Sequence, residues 1–376
     1  MNNLNFLVDV LKDSPVFKTL EKNVKPGRTV CASGLSTINK SNIIYALCRL
    51  KGVTAFCLAS DEKEAQTLCN DLSCMGLRAY VYPVRDFNFL DFQSRSHEYE
   101  HARLKVLLKL LNHECDVAIA CVDAAAQLTV PRNVLEQSVI EFEEGKELSL
   151  EKATKALTLL GYERFDAVEG SGQFSLRGGI LDFFMPDSEY PVRCEFWGDE
   201  ITDLSYFDIE TQRRFKKADK ITLSPSTEIV IEDRAALADK IEHKAKLLRS
   251  KNSAKAKEKL FSEAELIRSG AMIANADKFI NQIYDKPESL FDYLDRNTLV
   301  FASEFTAIQE RGKSMDFISN ETLMQGFEDG TLCRGFDRFA LTFNECTEFL
   351  QSHGTIVLEN FVHGSMPIKL SEIISC

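Results

Sequence analysis

The residues whose types and spacing most clearly suit a chemical function lie near the start of the chain, in a pattern typical of phosphate binding. Gly34, Lys40 and Ser41 match the first glycine and the final Lys-Ser of the spacing G-x-x-x-x-G-K-[ST]. In such a loop the backbone amides surround the phosphates, the lysine contacts their oxygens and the hydroxyl binds Mg²⁺. Asn39 stands where the second glycine belongs. Because asparagine tolerates left-handed backbone better than other non-glycine residues, this replacement does not exclude a phosphate loop.

A second chemically suggestive motif is H-E-x-x-H, from His97 to His101. On a helix this spacing places two imidazoles one turn apart with a glutamate as base, the arrangement of zinc proteases. The chain has six histidines, no downstream G-x-x-H continues the motif, and no helix with an obvious third ligand follows at the usual distance. We therefore interpret the segment as the polar start of a helix from Glu98 to Leu111 and predict no metal site.

Length and composition indicate a globular protein of two or three domains. The chain has 376 residues and a net charge of −12, so the whole molecule is expected to bind nucleic acid poorly without a local basic cluster. Its eleven cysteines are scattered without C-x-x-C spacing, which is typical of reduced core residues in a cytosolic protein. The first ten residues lack a signal-peptide pattern, and no apolar run approaches membrane-spanning length. We expect a cytoplasmic protein that does not contact a membrane.

Alternating strand and helix patterns surround the phosphate-loop motif. Short buried strands are predicted over 29–32, 54–59, 78–82 and 117–121, with helices between them. Repeats of this length predict a parallel sheet covered on both faces, as in half of a RecA-like, P-loop-type lobe. Residues 229 to about 290 are helical by pattern and rich in Lys and Glu. Two later strands are expected to return to the first sheet, over Leu299 to Ala302 and Thr355 to Leu358.

Residues 172–207 have a different pattern, in which apolar residues alternate with polar ones between glycine turns. The segment 172–184 reads G-Q-F-S-L-R-G-G-I-L-D-F-F, and 191–201 reads P-V-R-C-E-F-W-G-D-E-I. Period-two alternation predicts strands, and the Gly-Gly and Gly-Asp pairs predict tight turns between them. The segment therefore predicts a small antiparallel meander with one apolar face.

The meander sequence, together with G-Y-E-R at 161–164 and F-D-I-E-T-Q-R at 207–213, resembles domain 2 of the nucleotide-excision-repair protein UvrB. It resembles the matching domain of bacterial transcription-repair coupling factors more closely, and weaker similarity extends through the rest of the chain. The resemblance implies an α/β fold. It implies a degenerate P-loop (RecA-like) lobe with a parallel sheet, which is expected over 1–128. A small antiparallel α+β domain of the UvrA-binding type is expected over 129–228, and a helical region with returning strands is expected over 229–376.

The resemblance also implies a function in transcription-coupled nucleotide excision repair. In both families the meander domain docks onto UvrA, which makes UvrA the expected partner of this chain. The family protein continues into an RNA-polymerase-interacting domain and a translocase on double-stranded DNA. RNA polymerase and double-stranded DNA are therefore expected partners of a longer protein.

The second half of the nucleotide site departs from the UvrB pattern. There an apolar strand leads into D-E-x-H, whereas the matching text here is S-E-F-T at 303–306. Ser303 replaces the aspartate that organises Mg²⁺, and without it the charge on the transferred phosphoryl group is poorly neutralised. Glu304 keeps the position of the water-activating glutamate. We expect no catalysis and no cofactor in this chain, and a degenerate nucleotide site formed by Gly34, Lys40, Ser41 and Glu304.

Exposed arginines are the expected anchors of a docking meander, because a planar guanidinium forms bidentate pairs and stacks on rings. By resemblance, Arg164 and Arg177 fall on arginines of the UvrA-binding segments of UvrB, and Phe184 falls on an apolar position near the contact. These three are the predicted UvrA-binding residues. Ser175 replaces the first arginine of the F-R-V-R-G text in UvrB, which removes one charged contact.

Structural roles for the same residues stay open. Arg177 is alternatively a turn residue paired with Asp182 or Glu195, and Phe184 is alternatively a core side chain. Arg193 is a further candidate anchor. Glu195 and the Asp199-Glu200 pair are expected to hold these arginines in place through ion pairs.

Two other functional classes also stay open. A UvrB-like ATPase would use Lys40, Ser41 and Glu304, and ATP turnover would reveal it. A DNA-binding scaffold would use the Lys-rich helices after residue 229, although interleaved glutamates favour a solvated face. Phe87, Phe89 and Phe92 are candidates for base stacking, with packing at the edge of the lobe as the simpler interpretation.

Overall fold

The computed structural model describes residues 5–85, 97–249, 253–270, 276–361 and 368–375. Within these ranges, no helix combines the length and the apolar character that crossing a membrane requires. The stacking candidates Phe87, Phe89 and Phe92 lie outside the described residues.

The chain first alternates helices and strands, then forms a run of strands, and ends in a mainly helical part. The first part contains α1 (Asn5–Asp13), α2 (Pro15–Asn23), β1 (Val30–Ser33), α3 (Thr37–Lys51), β2 (Ala55–Ala59), α4 (Glu62–Cys74), β3 (Ala79–Tyr82), α5 (Glu98–Leu111), β4 (Val117–Cys121), α6 (Val122–Ala126) and α7 (Arg132–Gln137). The second contains β5 (Ile140–Glu143), α8 (Leu150–Leu159), β6 (Glu163–Arg164), β7 (Gln173–Arg177), β8 (Ile180–Phe183), β9 (Val192–Trp197), β10 (Glu200–Phe207), β11 (Arg214–Lys217) and β12 (Lys220–Leu223). The third contains α9 (Arg234–Leu247), α10 (Ser253–Ser269), α11 (Ile280–Ile283), β13 (Leu299–Ser303), α12 (Phe305–Asp329), α13 (Phe343–His353), β14 (Thr355–Glu359) and β15 (Glu372–Ser375).

The large sheet combines strands from both ends of the chain. Seven described strands lie in the order β15-β1-β14-β13-β2-β4-β3, and each neighbouring pair is parallel. The later strands β13 and β14 thus lie in the interior of the sheet, between β1 and β2. The edge strand β15 was not predicted from the sequence.

Both faces of the large sheet are buried, as a parallel sheet requires. Along β2, Phe56 and Leu58 belong to one apolar core. The alternate residues Ala55, Cys57 and Ala59 belong to the core on the other face. This alternation explains why β2 reads as a continuous apolar run, with every residue buried.

The small sheet has the order β11-β10-β9-β8-β7-β6 and is antiparallel except for the β6–β7 pair. In β9, residues 192, 194 and 196 enter a core that includes Ala153 and Leu157 of α8. Residues 193, 195 and 197 lie on the opposite side, because side chains alternate along a strand. Strand register places seven residues on that side, here called the outer face: Ser175, Arg177, Ile180, Asp182, Arg193, Glu195 and Trp197.

A buried ion pair joins the large sheet to the small one. Glu228, which follows the small sheet, accepts a hydrogen bond of 2.6 Å from Nε of Arg103 on α5. Neither side chain has any exposed surface. Glu228 also accepts from the Thr129 hydroxyl at 2.6 Å, and its backbone oxygen accepts from Tyr284 at 2.9 Å. Hydrogen bonds to Glu228 from Arg103, Thr129 and Tyr284 therefore fix the junction.

The predicted fold class is confirmed: a parallel α/β sheet is combined with a small antiparallel sheet and a helical part. In the helical part, α9 and α10 form a separate apolar core with Phe279 and Phe336. Sequence patterns did not predict α1, α2, the 25-residue helix α12 or the two-stranded β5–β12 sheet.

Candidate functional site

The region predicted as a phosphate loop is mostly helix. Because α3 begins at Thr37, only Gly34 to Ser36 separate it from β1. Gly34 has the left-handed conformation, with φ of 85°. Asn39 lies inside α3. The loop that the spacing through Asn39 predicted is therefore replaced by the first turn of a helix.

Lys40 and Ser41, which would contact phosphate and Mg²⁺, are buried, and their polar groups bond to other side chains of the protein. The Lys40 side chain is 1% exposed and pairs with Glu304. Its ammonium also donates to the Ser303 hydroxyl at 3.0 Å and to Glu64 at 3.5 Å. Ser41 donates to Asp71 at 2.9 Å. The lysine is therefore directed into the protein, away from solvent.

Glu304 is held in an unusual backbone conformation at the end of β13. It is one of the few described non-glycine residues with positive φ, at 56°. Its Oε1 accepts from the Asn360 amide at 2.9 Å in addition to Lys40. Burial opposes its ionisation, but the Lys40 ammonium and the Asn360 amide hold the pKa of Glu304 below its usual range.

The neighbouring Glu359 is a carboxyl that the sequence analysis did not predict at this site. It is fully buried, and its Oε1 accepts from the Phe305 amide at 2.8 Å. Burial and the nearby Glu304 charge raise the pKa of Glu359 to about 7. The structure thus brings Lys40 together with Glu64, Ser303, Glu304 and Glu359, here called the lysine cluster.

Several features of the lysine cluster oppose phosphate binding. The ammonium that would attract phosphate is already neutralised by carboxylates, and carboxylates repel a phosphate group. Gly34 lies at the end of β1 but contributes no side chain, and Ser41 bonds to Asp71 outside the cluster. Of the four predicted nucleotide-site residues, only Lys40 and Glu304 pair through their side chains.

The H-E-x-x-H motif lies at the start of α5, as predicted. The His97 and His101 rings stack with centroids 5.9 Å apart, and Nδ1 of His97 lies 3.0 Å from Glu100. Glu100 also accepts from the Glu228 amide at 2.8 Å. Within the described ranges, no group of three His, Cys, Asp or Glu side chains is arranged to hold a metal ion. The motif serves the junction between the two sheets.

The outer face of the small sheet contains a network centred on Asp182, whose side chain is 1% exposed. Asp182 accepts from Nε and Nη2 of Arg193 at 2.7 and 2.8 Å. It also accepts from Nη2 of Arg177 at 2.8 Å. Arg193 is 12% exposed and stacks over the Phe207 ring at 4.3 Å, whereas Arg177 is 51% exposed. Arg193 is therefore a structural residue, and Arg177 is available to a partner.

The ion pair expected from Glu195 is different in the structure. Glu195 pairs with Arg214 on β11, which also bonds to Asp203 at 2.9 Å. Asp182, the other partner considered for Arg177, holds both Arg177 and Arg193. The expectation that Glu195 positions these arginines is therefore wrong, because strand register places Asp182 directly opposite Arg193.

Residues 140–229, which form the small sheet with α8, match the family model described as the UvrB interaction domain. This segment is therefore similar to UvrB interaction domains, and it is called the interaction domain below. It is also 28% identical to the transcription-repair-coupling factor of Bacillus subtilis (strain 168), over 86% of the chain and 28% of that relative. The Staphylococcus aureus (strain USA300) transcription-repair-coupling factor is 21% identical over 99% of the chain and 32% of the relative.

These matches confirm both parts of the predicted resemblance, to UvrB and to transcription-repair coupling factors. The chain spans less than a third of the length of either relative, at 28% and 32%. The matched segment 140–229 includes both the antiparallel meander and the apolar core that packs against α8.

Within the interaction domain, the three predicted docking residues occupy different positions. Arg164 is exposed on the short edge strand β6. Phe184 is partly buried. Its amide donates to the Gln173 oxygen at 3.0 Å, which extends the pairing of β7 and β8 by one residue. Because side chains alternate along a strand, Phe184 lies on the same outer face as Asp182. Ser175 is buried, and its hydroxyl donates to the Asp166 oxygen at 2.8 Å. The structure thus places Arg177 and Phe184 on one face and Arg164 on the edge strand β6, opposite Phe174.

The most exposed aromatic residue of the interaction domain was not predicted from the sequence. Trp197 is 82% exposed at the end of β9, on the outer face. Two signals in the sequence would have identified it. It follows buried Phe196 in a period-two pattern, and it directly precedes the Gly198 turn.

Proposed function

We propose that this chain is the UvrA-recruiting module of a transcription-repair coupling factor and acts in transcription-coupled nucleotide excision repair. The observation that carries the proposal is the UvrB interaction domain at 140–229, within a chain similar to transcription-repair-coupling factors over most of its length. UvrA is the macromolecule that would occupy the outer face. RNA polymerase and double-stranded DNA would bind other parts of a longer, cytoplasmic protein.

The geometry of Arg177 supports its role as a docking anchor. Asp182 fixes one nitrogen of its guanidinium, and about half of the side chain remains exposed. A guanidinium held on one side loses less conformational freedom on binding, and its free edge can form a bidentate pair with a carboxylate. Asp182 remains satisfied by Arg193 if Arg177 is replaced, so the domain should still fold.

We further propose that this chain hydrolyses no ATP and binds no cofactor. The burial of Lys40 and its pairing with Glu304 support this proposal, since both groups would have to separate before phosphate could enter. The replacement of the metal-binding aspartate by Ser303 supports it as well. The alternative of a UvrB-like ATPase gains no support from the helical conformation of residues 37–41.

The test of UvrA recruitment is calorimetry with purified UvrA and the Arg177→Glu variant. Removal of a hot-spot arginine is expected to cost roughly 2 kcal/mol or more, about a 30-fold loss of affinity. Lys155→Glu is the matched control, because it makes the same charge change on α8, which covers the opposite side of the sheet. Failure of the wild-type chain to bind UvrA would refute the proposed function. Equal losses in both variants would refute the role of Arg177.

A further inference from the structure

Trp197 is exposed to a degree that its own fold does not require. The chain has one tryptophan, and it is 82% exposed, whereas the preceding Phe196 is 8% exposed. Phe196 enters the apolar core of the interaction domain, and Trp197 is not part of that core. Large exposed aromatic side chains are enriched at the centres of protein interfaces, because they bury 150–250 Å² at a low cost in conformational entropy.

The turn that follows Trp197 lies directly beside the turn that follows Arg177. The Phe196 amide donates to the Gly179 oxygen at 2.8 Å, which joins the two turns. A side-chain carbon on Gly179 would lie 2.7 Å from the Phe196 oxygen, so only glycine permits this approach. Two neighbouring turns therefore present a guanidinium and an indole on one surface.

Register and strand geometry give the spacing of these groups. Arg177 lies opposite Ile180, and Ile180 lies opposite Glu195, two residues before Trp197. With strands about 4.8 Å apart and a rise of about 3.4 Å per residue, the Cα atoms of Arg177 and Trp197 are roughly 12 Å apart. By the same geometry Phe184 lies roughly 20 Å from Trp197. One side of a standard interface, about 800 Å², covers all three residues.

From this arrangement we propose that Trp197 is an anchor of the UvrA-docking surface, seated in an apolar pocket of UvrA. The proposal rests on the proposed function and adds a contact that resemblance did not indicate. Charges on the two turns define the surroundings of that pocket. We expect UvrA to present a carboxylate to Arg177 on one side of the pocket. On the other side we expect a cation of UvrA facing Asp199 and Glu200, which are exposed beside the indole.

The single tryptophan allows a direct test in the complete chain. Its emission is expected to shift to shorter wavelength when UvrA is added, with the spectrum of UvrA plus the Trp197→Phe variant subtracted as the reference. Trp197→Ala is expected to weaken UvrA binding by about 10-fold or more and to leave the melting temperature unchanged. Phe317→Ala is the control, because Phe317 is 66% exposed on α12, outside the interaction domain.

The outcomes separate this inference from the function on which it rests. Binding that is lost in Arg177→Glu but unchanged in Trp197→Ala, or an emission spectrum that does not shift, overturns the role of Trp197 and leaves UvrA recruitment intact. If the wild-type chain does not bind UvrA, both proposals fail. A loss of affinity in Trp197→Ala but not in Phe317→Ala, together with the emission shift, supports the anchor.

Discussion

Replacement of Lys40 by methionine tests whether the lysine cluster stabilises the fold or serves to bind a nucleotide. Methionine keeps an unbranched apolar stem and removes the ammonium. The change leaves Glu304, with 22% of its side chain exposed, and Glu64, with 13%, without their shared cation. Breaking a buried ion pair costs about 3–5 kcal/mol, because one charge remains buried and unpaired.

The structure places the expected loss at the lower end of this range. Glu304 keeps the hydrogen bond from the Asn360 amide at 2.9 Å. Glu64 keeps the Ser60 amide and hydroxyl, at 2.8 and 2.6 Å. We therefore expect Lys40→Met to lower the free energy of unfolding by about 3 kcal/mol. The double variant Lys40→Met, Glu304→Gln should recover part of that loss, since it removes the charge of Glu304 and leaves only that of Glu64 without the lysine.

Urea denaturation followed by circular dichroism measures these free energies. The control is Lys217→Met, whose pair with Glu144 is exposed and screened by solvent, so its loss should change the free energy of unfolding far less. Mg²⁺-ATP should leave the melting temperature of the wild-type chain unchanged, because a ligand stabilises a protein only by binding its folded state. A loss for Lys40→Met no larger than the control would refute the reasoning. So would stabilisation by Mg²⁺-ATP that disappears in Lys40→Met.

Three further predictions concern other buried groups. Glu228→Ala should lower the free energy of unfolding in urea by about 3–5 kcal/mol, because it leaves the Arg103 guanidinium buried and unpaired; a loss below 1 kcal/mol would contradict this. Glu359 should stabilise the fold fully below its unfolded pKa of about 4.3 and lose that contribution as pH rises through about 7, so melting curves of Glu359→Gln should lack this decline. Parallel pH profiles for the two proteins would rule this out. Gly179→Ala should lower the melting temperature and weaken UvrA docking, because its new carbon would meet the Phe196 oxygen at 2.7 Å; an unaltered melt would show that the turn can adjust.

Features of the fold that depend on neighbouring residues were predictable from the sequence. The helix predicted from Glu98 to Leu111 has those bounds in the structure. The strands of the interaction domain were predicted because alternation and turn glycines are written in consecutive residues. The face to which Arg177 belongs follows from the same alternation, since residues two apart share a face.

Contacts that depend on strand order were not predictable in the same way. Lys40 meets Glu304 and Glu359 because β14 and β13 are inserted beside β1, which only the pairing of distant strands decides. The sequence also left open whether Asp182 or Glu195 holds Arg177. The register Asp182 to Arg193 decides that question, and it is a property of the assembled sheet.

The strand order of the large sheet also has a consequence for synthesis on the ribosome. Val30 pairs with Ile356 and with Glu372, so β1 has neither of its neighbouring strands until the ribosome has made residues 355–375. Contacts so distant in sequence are slow to form, because a long loop must close before they stabilise the chain. The interaction domain, between residues 140 and 229, has its strands close together in sequence. The interaction domain of the nascent chain is therefore expected to fold first, and the large sheet is expected to form only after β14 and β15 have been synthesised.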